Sequence, residues 1–160
     1  MAQGNFERCL AITLAWEGGV SNIAADPGGL TKWGITHANY DAWRDSQGLP
    51  RQYVRRLNTD DCRAIYRRDY WEALSCDTLP AGYDLCVFDA GVNSGTVHAR
   101  AWRAGHPDIA SFQMARMSFL QHLRRLWPVF GRGWARRVTG IKAQALAMVP
   151  VTNSAMGYPA

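Results

Sequence analysis

The sequence predicts a mainly α-helical domain of the α+β kind, a helical bundle with a small β-hairpin near the N-terminus. Apolar residues recur with helical spacing along most of the 160 residues. Residues 20–35 lack that period, and there the turn-forming Asp26 to Gly29 lies between short β-compatible stretches. Hydrophobic residues make up 48% of the chain and charged residues 19%, which favours a globular protein over a disordered one.

Each predicted helix has its own start and stop signals. Asn5, Thr36 and Thr59 are predicted N-caps, and Pro107 is predicted at the first position of the sixth helix. Glycine pairs, glycine-proline runs and Asn93-Ser94-Gly95 supply the stops. The helices are predicted over residues 5–17, from 36 to a stop at 48–50, over 59–74 and 83–92, as a short fifth helix ending at Gly105, and over 107–127 and 134–148.

These elements predict a single domain over residues 1–150, with a flexible tail at 151–160. The first helix and the hairpin belong to a part covering about residues 5–75, and the helical C-terminal part covers about 80–148. No apolar run approaches the roughly 18 residues that a membrane span needs. The start lacks a basic segment followed by an apolar block, so we expect synthesis in the bacterial cytoplasm without a signal peptide.

Charge is divided unevenly along the chain. Residues 1–99 contain nine Lys or Arg against twelve Asp or Glu, whereas residues 100–160 contain nine basic residues against Asp108 alone. A basic half suggests an anionic partner such as nucleic acid, a membrane surface or wall polymer, and a solvated surface is the alternative. No recognition-helix or RNA-binding sheet motif is present, so we expect no nucleic-acid binding.

No metal site is predicted. The four cysteines form no C-x-x-C pair, and the histidines lack the paired spacing of metal ligands. A cytoplasmic origin favours free thiols over disulfides.

The most unusual residue is Glu17, at the end of the first helix. Phe6, Leu10 and Leu14 form an apolar stripe, and a further step of three residues reaches Glu17 on the same face. Burial and the negative end of the helix dipole both predict a raised pKa for this carboxyl, which suits a general acid. The adjacent Gly18-Gly19 leaves room for a ligand. The alternative is a glutamate that simply emerges at a fraying helix end.

Two aspartates are candidates for a second catalytic carboxylate. Asp26 follows Glu17 by nine residues and a chain reversal can bring it back beside the helix end, although turn chemistry alone also explains it. Thr31 offers a hydroxyl that could hold a water between two carboxyls, as an inverting glycosidase requires. Asp89 lies on the apolar face of its helix, where we expect a structural hydrogen-bonding role, with catalysis or sugar contact as the alternative.

The order of these residues resembles known enzymes. Glu17, Asp26, Thr31 and the "GITH" segment resemble the phage-type lysozymes. More closely, "WEGG", "DPGGLTKWGIT", "YRRDYWEAL", "LCVFDAGVNSG" and "FGRGWARRV" resemble the N-acetylmuramidases of glycoside hydrolase family 108 over about residues 6–142. Val20 stands where that family has a hallmark tyrosine. The spacing from Asp26 to Thr31 is one residue shorter than in the phage-type lysozymes.

The resemblance implies a lysozyme-like helical fold and cleavage of the β-1,4 bond between N-acetylmuramic acid and N-acetylglucosamine, without a cofactor. It also implies that Glu17 is the proton donor, and by the looser phage-lysozyme likeness that Asp26 and Thr31 assist. Trp33 and Tyr40 are candidates to stack on sugar faces, and Asn93 is a candidate to contact an acetamido group. Core packing and helix termination are the structural alternatives for these three residues.

The resulting prediction is a monomeric peptidoglycan hydrolase, a phage or prophage endolysin that acts in the periplasm or cell wall after release by a holin or a secretion system. The alternatives are a muramidase that serves protein secretion and a non-catalytic peptidoglycan-binding module. Arg132, Arg136 and Arg137 are predicted to contact an anionic envelope surface, with a solvated face as the alternative.

Overall fold

A computed structural model describes residues 4–17, 20–21 and 31–151. It confirms the mainly helical class with a small sheet. The helices are α1 (Phe6–Trp16), α2 (His37–Ser46), α3 (Thr59–Tyr66, continued by a π-helical turn Arg67–Glu72), α4 (Tyr83–Ser94), α5 (Thr96–Gly105), α6 (Ile109–Gln121) and α7 (Trp127–Met148). None of these helices combines the length and apolar character needed to cross a bilayer.

The predicted hairpin region forms a three-stranded antiparallel sheet in the order β1-β2-β3. Its strands are β1 (Val20–Ser21), β2 (Thr31–Lys32) and β3 (Ile35–Thr36). Lys32 lies opposite Val20 on one side and Ile35 on the other. The two-residue β2–β3 turn has positive φ at both positions, 51° at Trp33 and 77° at Gly34, as a tight hairpin turn requires.

Helix α4 is the centre of the core. Every residue from Tyr83 to Gly91 is buried, including the two aspartates Asp84 and Asp89. The Phe88 ring packs edge-on against Trp71 and Phe6, with its centroid 5.5 Å and 6.1 Å from theirs. A helix that is apolar nearly all round must be covered on every side, and α1, α5, α6 and α7 all contact it.

Several predicted helix starts differ from those observed. The α3 cap is Asn58, whose side chain accepts a hydrogen bond from the Asp61 N–H, so the predicted Thr59 is already helical. Helix α6 begins after Asp108, which caps the Ser111 N–H and displaces Pro107 from the predicted first position. In both cases the side-chain oxygen of the residue adjacent to the predicted one accepts from the N–H of the third helical residue, as an N-cap does.

Asn5 occupies the N-cap position of α1, as predicted, but its amide donates to Asp84 and its side chain forms no capping hydrogen bond. The predicted start of the last helix was wrong. Helix α7 begins at Trp127, seven residues before the predicted Trp134, and Pro128 lies in its first turn, where proline is tolerated. The Thr36 cap of α2 is confirmed by its hydrogen bond from the Asn39 N–H.

The four cysteines are free, buried thiols, as predicted. Burial raises the pKa of Cys62 and of Cys86 to about 12, so both thiols stay neutral and behave as small core groups.

Gly82 provides a test of how α4 is packed. It has φ of +89°, and a Cβ there would lie 2.3 Å from the Ala145 carbonyl oxygen in α7. Because strain and overpacking add, we expect Gly82→Ala to lower the free energy of unfolding by about 2–5 kcal/mol in urea denaturation.

Gly133→Ala is the matched control for this measurement. Gly133 lies inside α7 with no atom within 4 Å of its Cβ position, so we expect a gain of about 0.5–1 kcal/mol. Equal effects of the two substitutions would contradict the packing of α4 against α7.

Candidate functional site

Glu17 is the first residue beyond α1. Its N–H still bonds the Thr13 carbonyl at 3.2 Å, but its ψ of 137° turns the chain out of the helix. The side chain is 19% exposed, and its Oε1 accepts a hydrogen bond from Nη1 of Arg137 at 2.8 Å. The sequence predicted a carboxyl on an apolar face in the last helical turn. The structure instead places it one residue later and gives it a guanidinium partner.

The second oxygen of Glu17 lies against the β2–β3 turn. A Cβ built on Gly34 would be 2.9 Å from Glu17 Oε2 and 2.7 Å from the Tyr66 hydroxyl oxygen, so only glycine fits between them. The Tyr66 hydroxyl donates to the Trp33 carbonyl, which fixes the turn to α3. Burial, with a further contribution from the Glu17 charge, raises the pKa of Tyr66, so its hydroxyl remains a donor.

A buried cluster of charged side chains binds Arg137, the partner of Glu17. Asp89, on α4, is fully buried and accepts hydrogen bonds from Thr13 Oγ1 at 3.1 Å and from Arg116 Nη2 at 2.8 Å. Arg137 donates to the same carboxylate through Nε at 3.1 and 3.2 Å and through Nη2 at 2.9 Å. Arg137 therefore bridges two carboxylates, Asp89 and Glu17, that come from different helices.

Within this cluster, the electrostatics favour the ionised forms of Asp89 and Arg137. Burial acts to raise the pKa of Asp89, but the charges and hydrogen bonds of Arg116 and Arg137 outweigh it and hold that pKa below its usual range. For Arg137, burial acts to lower the pKa, and Asp89 and Glu17 reverse the effect and raise it. Asp89 is therefore an ionised anchor, which agrees with the structural role that the sequence favoured for it.

Asn93 belongs to the same cluster. Its Oδ1 accepts a hydrogen bond from Arg116 Nη2 at 3.0 Å, and its half-buried side chain borders an open depression that includes Ser94 and Trp134. Arg116 is fully buried, and within the described part of the chain its Nε and Nη1 have no hydrogen-bond partner.

The two aromatic candidates have different surroundings. Tyr40 is fully buried and its hydroxyl bonds the Gln52 side chain, so no ring face is open to a sugar and the predicted stacking role is wrong. Trp33 is half-buried in the turn beside Gly34, with the Lys32 ammonium 4.6 Å from its ring centroid. Trp33 is therefore an aromatic side chain on the same turn whose Gly34 lies against the Glu17 carboxyl.

Asp26 lies outside the described residues, as do Gly18 and Gly19. Thr31 begins β2 opposite Ser21, and its side chain is outside the described part. Within the described residues, no group of three or more His, Cys, Asp or Glu side chains is arranged to hold a metal ion.

The predicted arginine cluster on α7 divides in two. Arg137 is buried and bound to carboxylates, so it is not part of an outer anionic-binding surface. Arg132 and Arg136 are exposed and line an open depression of about 590 Å³. We call this the α7 depression, formed by Trp16, Arg132, Ala135, Arg136, Thr139 and Gly140.

The roles of Arg116, Arg137 and Tyr66 were not found from the sequence. Arg116 did carry a signal, because it lies four residues after Phe112 and four before Leu120, both buried, and so occupies a core position of α6. A charged residue at such a position needs a buried partner of opposite sign. Nothing in the local pattern distinguished Arg137 from Arg136.

The chain is similar to known proteins in both sequence and structure. The family model for Glycosyl hydrolase 108 matches residues 10–95, more than half of the chain. The structure of Brucella abortus SagA superimposes with a TM-score of 0.80 at 28% identity, over 94% of this chain and 99% of that one. No curated protein sequence matches. These findings confirm the predicted family resemblance and the lysozyme-like helical class.

The cluster predicts a large effect on stability for Asp89→Asn. Removing the charge leaves the buried Arg116 without a carboxylate partner and Arg137 with Glu17 alone, so we expect the free energy of unfolding at pH 7 to fall by about 3–5 kcal/mol. The folded-state pKa of Asp89 lies below its unfolded value of about 4. The stabilisation is therefore complete above about pH 4 and is lost as the pH falls through the folded value.

Denaturant unfolding of wild type and variant from pH 7 to pH 2 measures this difference. Asp60→Asn is the control, because Asp60 is exposed and its replacement is expected to change stability by less than about 0.5 kcal/mol. A wild type no more stable than Asp89→Asn at pH 7 would contradict the assigned anchor.

Proposed function

We propose that this chain, which belongs to the glycosyl hydrolase 108 family and is a glycoside hydrolase of peptidoglycan, is an N-acetylmuramidase with Glu17 as general acid. The bond cleaved is the β-1,4 linkage between N-acetylmuramic acid and N-acetylglucosamine. One observation carries the proposal. The Glu17 carboxyl is largely shielded from water, fixed through one oxygen by Arg137, and directed through the other toward the β2–β3 turn.

The two oxygens of Glu17 divide the work of acid catalysis. Oε1 accepts from Arg137, and no described residue donates to Oε2, so Oε2 is the position for the transferable proton. When that proton moves to the glycosidic oxygen, a negative charge develops on Glu17. The guanidinium 2.8 Å from Oε1 stabilises this charge without having to reorganise, as an arrangement set for the transition state should.

Asp26 is our candidate for the second carboxylate, which stabilises the oxocarbenium-like charge or activates water, and Thr31 is our candidate to hold that water. The argument for Asp26 is by position in the chain alone, nine residues after Glu17 and between β1 and β2. Asp89 is excluded from this role because it is fully buried and saturated with hydrogen bonds from Thr13, Arg116 and Arg137.

Trp33 and Asn93 are our candidates for contact with the sugar. Trp33 lies next to Gly34, whose neighbour is the Glu17 carboxyl, so its ring is placed to pack against the sugar whose bond is cut. Asn93 borders a depression and has an amide nitrogen available for an acetamido oxygen while its Oδ1 accepts from Arg116.

We further propose that the enzyme is a monomeric endolysin that reaches the wall through a holin, with service to a secretion system as the second candidate. The exposed Arg132 and Arg136 support contact with an anionic envelope polymer. Genes adjacent to its own, encoding a holin or a secretion apparatus, distinguish the two settings.

Glu17→Gln tests the general acid. The amide cannot donate the proton, so we expect kcat on purified peptidoglycan to fall by about 10²- to 10⁴-fold, measured as new reducing ends, while circular dichroism stays unchanged. Glu7→Gln is the matched control on α1, because Glu7 is exposed and pairs only with Arg63 among the described residues. We expect Glu7→Gln to retain wild-type activity.

Two outcomes would contradict this assignment. A folded Glu17→Gln variant with near wild-type activity would show that another group supplies the proton. A wild type that binds peptidoglycan without producing reducing ends would show a binding module instead of an enzyme.

Gly34→Ala tests whether the turn positions the Glu17 carboxyl. The added Cβ would contact Glu17 Oε2 and the Tyr66 hydroxyl, and a displacement of about 1 Å at a catalytic group can cost about 100-fold in kcat. We therefore expect a fall of that size in the reducing-end assay.

Gly48→Ala is the control because it imposes the same kind of backbone strain without the contact. Gly48 has φ of +66° and nothing within 4 Å of its Cβ position, against φ of +77° at Gly34. Both variants should lose about 1–2 kcal/mol of stability from strain, but only Gly34→Ala should lose activity. Similar activities in the two variants would show that the turn at Gly34 does not position the Glu17 carboxyl for catalysis.

A further inference from the structure

The α7 depression has an aromatic floor beside the catalytic residue. The Trp16 indole is packed against Gly140, where a Cβ would lie 2.5 Å from Trp16 Cζ2, so the missing side chain is what admits the ring. Trp16 is 37% exposed, a large open fraction for an indole. The depression therefore presents a fixed apolar surface to solvent.

Its rim carries two positive charges. Arg132 and Arg136 are four residues apart on α7, and Gly140 follows at the same interval, so all three lie on one face of the helix. Both guanidinium groups are exposed, and neither forms an ion pair with a carboxylate of the described residues. Every other wall residue is uncharged, so nothing in the lining of the depression offsets these charges.

The depression begins next to the proposed general acid. Trp16 directly precedes Glu17 in the chain, and Arg136 directly precedes Arg137, which binds the Glu17 carboxylate. Helix geometry turns successive side chains by about 100°, so Arg137 faces inward to Glu17 while Arg136 faces the depression. The lining of the depression thus contains the chain neighbours of both Glu17 and Arg137.

We propose that the α7 depression is a subsite for the peptide stems of peptidoglycan, whose carboxylates bind Arg132 and Arg136. This inference rests on the proposed function. Each muramic acid carries a short peptide with several carboxylates and small apolar side chains. Guanidinium groups bind carboxylates through paired hydrogen bonds, and an indole face accepts methyl and methylene groups. The subsite would thereby favour glycan strands that bear free acidic stems.

The experiment compares two forms of one substrate. Peptidoglycan is used either native or after its stem carboxylates have been converted to amides with carbodiimide and ammonia, which removes charge and keeps the peptide's size. We expect amidation to raise the wild-type KM by about three- to tenfold with kcat unchanged, because the contact is made in ground state and transition state alike.

Arg132→Ala with Arg136→Ala should raise KM on native peptidoglycan by a similar factor and should remove most of the further effect of amidation, since the two changes delete the same interaction. The wild-type preference for native substrate should also weaken as salt is added. Arg124→Ala with Arg125→Ala is the matched control. It removes two exposed arginines outside the depression and should keep the full response to amidation.

Three results would overturn the subsite. The first is a wild-type KM insensitive to amidation, and the second is a double variant at Arg132 and Arg136 that keeps the full response. The third is loss of binding to phosphatidylglycerol–phosphatidylethanolamine vesicles in that variant with unchanged wall kinetics, which would assign the arginines to a membrane surface. A wild type that produces no reducing ends from either substrate would instead refute the proposed enzyme, so the two failures are distinguishable.

Discussion

The structure around the site depends on one buried carboxylate. Asp89 lies at the centre of the packed helices, without solvent, and it is tolerated there because Arg116 and Arg137 surround it with charge-assisted hydrogen bonds. These contacts fix α6 and α7 to α4. They also set the direction of the Arg137 guanidinium, whose remaining nitrogen holds Glu17. The position of the proposed acid at the end of α1 is therefore determined by an ion pair more than seventy residues away in sequence.

This arrangement explains part of the charge asymmetry of the chain. The basic C-terminal half supplies two arginines to the interior, where the partners Asp89 and Glu17 come from the acidic N-terminal half. Some of the arginines in this basic segment are therefore bound inside the protein and cannot contact an external anionic partner. Charge counted along a sequence predicts an anionic ligand only after the buried pairs have been subtracted. Here seven of the nine basic residues of 100–160 are left, and the exposed Arg132 and Arg136 are among them.

Local signals in the sequence predicted most helices and the small sheet because caps, glycine stops and apolar periods act over a few residues. They failed where two side chains compete for one role, as at Asn58 and Asp108. In the site, the helix-end position predicted that Glu17 would be shielded. Its partner could not be predicted, because Arg137 lies 120 residues away and the adjacent Arg136 has the same chemistry. Arg137 was therefore missed because it is distant from Glu17 in sequence, although the hydrogen bond between them is short.

The same cluster fixes the donor that faces the proposed acid. Asp89 binds Arg137 through Nε and Nη2, which leaves Nη1 directed at Glu17 Oε1 at 2.8 Å. Because the buried Asp89 already holds the guanidinium, its position does not depend on a bound substrate. A negative charge that develops on Glu17 would therefore meet a donor that is already in place, and such a donor needs no reorganisation during the reaction.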